Sequence, residues 1–73
     1  MPEIYVYLCG EGVDVWRPVQ AEQLSAGVYR IAEQPYDRGL ERWQFDPGSE
    51  VVCELISVEN REILAAVRLA DAR

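Results

Sequence analysis

The reactive groups of this chain are two thiols, three serine hydroxyls and a scatter of carboxylates, and none has an activating neighbour in the sequence. Cys9 and Cys53 lie far apart, with no C-x-x-C pairing. Ser25, Ser49 and Ser57 sit in or beside turns and strands. Nucleophilic catalysis needs a base next to the nucleophile, and the chain contains no histidine and no lysine. Glu54, Glu59 and Glu62 could meet across one turn for acid–base work. They alternate with apolar residues, however, as a solvated strand face does. A metal site built from Asp and Glu alone would suit only a hard cation, and no EF-type spacing is present. "CGEGVD" has two glycines but no lysine and no following helix, so it is no phosphate loop. We therefore expect no catalytic residue, no cofactor and no metal, and free thiols that pack as small hydrophobes.

The aromatic residues carry more information. Tyr5, Tyr7, Trp16, Tyr29, Tyr36, Trp43 and Phe45 are many large rings for 73 residues. In a thin core each buried ring supplies about 150–250 Å², so Trp16, Tyr29, Trp43 and Phe45 are candidates to fill the interior. The other use of such rings is a groove of Tyr and Trp flanked by acids, which recognises proline-rich or arginine-bearing peptides. Tyr5, Tyr7, Trp16 and Tyr36 are the candidate contact residues. Asp14, Glu41 and Glu11 would take the peptide's charge. Arg17 has a local role open to it: stacking on an aromatic neighbour or pairing with an acid across a sheet.

The elements that must position these rings are strands. "EIYVYLC" (3–9) alternates Ile4, Val6 and Leu8 with Tyr5 and Tyr7, a period of two. "GEG" (10–12) marks a turn. "VDVWRPVQAEQL" follows, with Val13 and Val15 against Asp14 and Trp16. Pro18 must lie at a bend, a bulge or an edge. "SAG" turns into a strand at 28–33, where Tyr29 and Ile31 form the more hydrophobic face. The loop 34–42 is the longest and most polar. In "WQFDPGS", Pro47 and Gly48 suit the central positions of a type II turn, and Trp43 and Phe45 share one face. "SEVVCELISVE" puts Val51, Cys53 and Leu55 on one side. "ENRE" is a hairpin turn with Asn60 tolerating positive φ. "ILAAVRLA" reads as a strand over 62–69, with a two-turn helix the alternative. The tail "DAR" is expected to fray.

A chain of 73 residues holds one domain, 1–73, and buries only about 60–65% of its unfolded surface. Five short strands with turns roughly every ten residues predict an all-β fold. There are too few residues for two sheets of a sandwich. A single sheet rolled on itself leaves the fewest edges, so a small, five-stranded, SH3-like, partly open barrel is expected. Net charge is −6, from thirteen acids against seven arginines. This argues against nucleic-acid binding, which needs clustered positive charge, and permits a basic partner. No apolar run reaches the roughly 18–20 residues of a membrane span, and the N-terminus lacks the features of a signal peptide. A cytoplasmic protein is expected.

Several stretches resemble a group of small uncharacterised bacterial proteins. The shared pattern runs through Val15, Trp16, Arg17, Pro18 and Val19, then Tyr29 and Arg30. It continues at Glu41, Trp43, Phe45, Pro47 and Gly48, and at Cys53 and Glu54. The resemblance covers most of the chain and implies an SH3-like barrel, but it brings no activity with it. The expected function is a non-enzymatic module that binds a protein or peptide through an aromatic and acidic surface, whose charge admits a basic partner. The alternatives are a structural homo-oligomer that pairs strand edges, or an acidic mimic occupying a basic partner's site.

Overall fold

Alternating apolar residues form five strands in the computed structural model, which describes residues 1–70: β1 (Glu3–Tyr7), β2 (Trp16–Ser25), β3 (Val28–Ile31), β4 (Glu50–Val58) and β5 (Arg61–Leu69). The tail 71–73, expected to fray, lies outside the described residues. Each strand pairs antiparallel with the next in the chain. β5 then meets β1 in parallel through the register pair Tyr5–Ala65, closing a barrel. The protein is thus all-β, a small five-stranded barrel of the expected kind, with a narrow seam between its first and last strands.

The inward positions follow the period of two. Ile4 and Val6 of β1, Val19 and Ala21 of β2, Ile31 of β3 and Val51 of β4 are essentially removed from water. Tyr29 joins them, as the face of β3 required. The turns match their residues. Ser49 donates its N–H to the Asp46 carbonyl at 3.1 Å across Pro47 and Gly48, and Gly48 has φ of +91°. Glu59 and Asn60 both take positive φ, the two-residue type I′ hairpin. That turn fixes the last segment as a strand rather than a helix. Its small residues then matter: Ala65 and Ala66 are consecutive yet both buried. Ala66 lies opposite the inward Cys53, while Ala65 takes the other face where β5 meets β1 opposite Tyr5. A bulge follows them, because Val52 faces Arg68 while Cys53 faces Ala66, leaving Val67 unpaired.

Three expectations need correction. The second strand starts at Trp16, not at Val13. Residues 11–13 bend and Val13 is 70% exposed, because two glycines at positive φ loosen the segment before it. Leu55 lies on the face of Val51 and Cys53 but is 66% exposed. The β3–β4 ladder ends at Val28–Val52, so β4 and β5 run on past the barrel as a two-stranded ribbon with no core to cover Leu55. Cys53 is buried as expected, but Cys9 is only half-buried.

Pro18 is accommodated at an edge within a central strand. Leu8 N–H donates to the Val15 carbonyl, which sets the phase of the β1–β2 ladder. Tyr5–Pro18 is then a pair without mutual hydrogen bonds. The missing donor of Pro18 faces away from β1, where the β3 ladder has not yet begun, since it starts at Ala21. Gln34 seals the junction: its amide accepts from Gln20 N–H at 3.0 Å and donates to the Gln20 and Ala32 carbonyls at 2.9 and 2.8 Å.

Candidate functional site

The predicted contact residues fall into two separate groups. The first is on the outer face of β1 and β2. Tyr5 stands opposite Pro18, and Tyr7 opposite Trp16. Because side chains alternate, these four share the face away from Ile4, Val6 and Val19. Tyr7 and Trp16 meet edge to face, with ring centroids 5.2 Å apart, a favoured geometry for aromatic pairs. The Tyr7 hydroxyl donates to Asp14 Oδ1 at 3.0 Å. That hydrogen bond, and then the carboxylate's charge, push the Tyr7 phenol above its ordinary range. The Arg61 guanidinium lies 5.5 Å from the centre of the Tyr5 ring. Tyr5, Tyr7 and Trp16 are all half-buried and Asp14 is exposed. The result is a ridge of three aromatics and a proline with a carboxylate at one end.

The second group is in the long loop. Tyr36 and Trp43 stack at 4.3 Å and 17°, and Trp43 N–H donates to the Tyr36 hydroxyl at 2.6 Å. Arg38 covers the Tyr36 ring at 4.5 Å. Glu41 is occupied at both oxygens: Oε1 accepts from the Trp43 indole at 3.1 Å, and Oε2 pairs with Arg17 at 3.3 Å. A cleft of about 470 Å³ opens beside them, lined by Arg17, Pro35, Tyr36, Asp37, Leu40 and Glu41. Trp43 itself is 4% exposed and bridges to Leu8, while Phe45 packs against the core from its edge. These rings close the barrel mouth. Tyr36 and Glu41 hold that plug together and do not join Tyr5, Tyr7, Trp16 and Asp14. No signal in the sequence marks this split, because the spacing of loop residues does not fix which strand end they cover. Arg17 takes one of its two expected roles, the ion pair, but with a loop residue rather than across the sheet. Glu11 is exposed in the bend before Val13.

The rest of the outer surface differs from the ridge. Arg30 bridges Glu22 at 3.0 Å and Glu50 at 3.3 Å, spanning β2, β3 and β4, and Arg68 pairs with Glu54 at 3.4 Å. That side is a lattice of opposite charges that satisfy one another. On the ridge side, Asp14 and Glu3 form no ion pair among the described residues. Glu54 therefore does not converge with Glu59 and Glu62, which lie at and beyond the hairpin turn. Among the described residues no group of three or more His, Cys, Asp or Glu side chains could hold a metal ion, and no helix is long and apolar enough to cross a membrane. Burial pushes the Cys53 thiol up to about 11, a direction that makes it less nucleophilic.

Comparison with known proteins identifies no relative: no protein-family model, no curated protein and no solved structure matches this chain.

Proposed function

We propose that this domain is a non-enzymatic interaction module that binds a basic or proline-rich peptide segment on the ridge of Tyr5, Tyr7, Trp16 and Pro18. The observation that carries this reading is the shared outward face of three large rings beside a carboxylate with no ion pair among the described residues. On the face of β2, β3 and β4 Arg30 and Arg68 pair with Glu22, Glu50 and Glu54, and the other large rings lie in the core or the barrel mouth. Rigid, half-exposed Tyr and Trp side chains give contact area at little entropic cost. Flat rings suit the regular projections of a polyproline helix. Asp14, held in place by the Tyr7 hydroxyl, would receive an arginine or lysine of the bound segment.

The two tryptophans make the test specific. Arginine-bearing and proline-rich peptides are titrated while both indole N–H signals are followed by NMR. The signal of Trp16 is expected to shift, and that of buried Trp43 to stay. Added salt is expected to weaken the basic peptides more than the uncharged ones. Tyr5→Ala should weaken the response of the Trp16 signal without unfolding the domain. A Trp16 signal unmoved by millimolar peptide would remove the proposal.

A further inference from the structure

The ribbon formed by the far half of β4 and β5 has a free edge that fits a second copy of the same edge. Val58 and Arg61 close the two-residue turn, so they form the hydrogen-bonded pair that ends the ladder. Counting back by twos, Ile56 and Glu54 also direct their backbone groups toward β5. Leu55 and Ser57 then direct theirs the other way. Cys53, in the same phase, shows where that side leads: its N–H donates to the Gly27 carbonyl at 2.8 Å. Beyond Cys53 no strand among the described residues receives such groups, because the β3–β4 ladder has ended at Val28–Val52. Among the described residues, the N–H and C=O of Leu55 and Ser57 have no backbone partner on that side.

Natural sheets blunt an open edge with proline, charge, a bulge or a covering loop. The open stretch of β2 has Pro18 and the Gln34 amide. The stretch Glu54–Val58 has none of these. Its one charged side chain, Glu54, is paired to Arg68. The rest is Leu-Ile-Ser-Val, of which Ile56 and Val58 are strong strand formers, with Leu55 66% exposed.

We propose that two copies of this chain pair antiparallel along Glu54–Val58, with the two-fold axis at Ile56. In this register Leu55 lies opposite Ser57 of the other copy, and each outward N–H meets a carbonyl. Ile56 lies against its own equivalent. The register centred on Leu55 would instead set Ser57 against Cys53, whose N–H is already bound to Gly27. The contact is isologous and uses each edge once, so it closes at a dimer rather than growing into a fibre. It lies away from the aromatic ridge and is independent of the peptide-binding proposal.

Light scattering and sedimentation over a concentration series test the pairing. The wild-type mass is expected to rise from one to two chains as concentration approaches ~1 mM, a range in which a small interface is populated. Ser57→Pro removes an outward donor but leaves the bonds of β4 to β5 intact, as Pro18 does in β2. Leu55→Lys places a charge on the edge at an already exposed site. Both variants should stay monomeric with an unchanged circular dichroism spectrum; if the proline variant does not fold, Leu55→Lys and amide exchange decide. The Leu55 and Ser57 amides should exchange more slowly as wild-type concentration rises. A wild type that stays monomeric at ~1 mM, a Leu55→Lys variant that still dimerises, or exchange at these amides that ignores concentration would each overturn the pairing.

Discussion

Replacing Gly48 by alanine and by valine tests the turn that joins the barrel mouth to β4. Gly48 has φ of +91°. An L-residue in the left-handed region costs roughly 1–2 kcal/mol, and strained backbones at such sites span about 1–3 kcal/mol. Alanine regains about 0.4–1 kcal/mol by restricting the unfolded chain. A new Cβ would lie 3.2 Å from Glu33 Oε2, the far end of a flexible side chain that can move aside. The steric contribution is therefore small, and the net loss for Gly48→Ala is about 1 kcal/mol. Valine, branched at Cβ, tolerates positive φ less well and should cost toward the upper end, on the order of 3 kcal/mol. The turn cannot relax freely, because Gly48 N–H donates to the Ile31 carbonyl at 2.7 Å and Ile31 N–H donates to Ser49 at 2.9 Å. In a domain of this size each kcal/mol moves Tm by about 4–8 °C. Gly10→Ala is the control: its φ is also positive, at +78°, but it lies in an open bend with nothing within 4 Å of a Cβ. Thermal melts should rank wild type, Gly10→Ala, Gly48→Ala and Gly48→Val in falling order. A Gly48→Val domain that melts with the wild type would refute the turn and the stitching to β3 together.

The remaining expectations are shorter. Trp43→Ala should cost about 3–5 kcal/mol by emptying the barrel mouth, enough to leave much of the chain unfolded. Denaturant titration of Trp16→Ala should show a far smaller loss, and equal losses would contradict the division between plug and ridge. Gln34→Ala should cost about 0.5–1.5 kcal/mol and speed amide exchange at Gln20, whose N–H loses its acceptor. In an ultraviolet titration, a tyrosine component ionising above the usual range should vanish in Tyr7→Phe and move back down in Asp14→Asn, because the acid that holds it up is gone. Cys53 has its folded pKa raised from 9.0 to about 11. Its contribution to stability is complete below pH 9 and is lost as pH rises toward 11. Denaturation midpoints of Cys53→Ala should lack that part of the alkaline decline.

Strand positions and turns were legible because each rests on local chemistry. Period-two alternation in "EIYVYLC", Pro-Gly in "DPGS" and Glu-Asn before "REIL" act within a few residues. The inward course of Val51 and Cys53 was legible for the same reason. Leu55 was not, since its exposure depends on where β3 stops rather than on β4 itself. The adjacent buried pair Ala65–Ala66 was hidden too, because Ala65 lies where β5 meets β1, a pairing between the two ends of the barrel's chain that no local pattern announces. At the candidate site, strand alternation puts Tyr5 and Tyr7 on one face, but Trp16, also a candidate for the interior, is set beside them only by the β1–β2 register. Tyr36 and Glu41 were grouped with them by composition alone, and the loop carries them to the barrel mouth. Composition identifies ring-bearing residues, but the path of a loop decides which of them share a surface.

The seam between β1 and β5 has a consequence for how the barrel opens. It joins the strands most distant in the chain and carries one register pair, Tyr5–Ala65. Every other strand boundary is stitched by a longer antiparallel ladder, and β4–β5 by a two-residue hairpin besides. Closing the ring therefore means ordering the longest loop in the molecule for the smallest return in hydrogen bonds. This boundary is expected to form last as the chain folds and to part first in local excursions, which amide exchange along β1 and β5 would check. β1 leaves from that side carrying Tyr5 and Tyr7, half of the aromatic ridge. A peptide lying across Tyr7 and Trp16 would tie β1 to β2, so occupancy of the ridge and closure of the barrel would reinforce one another.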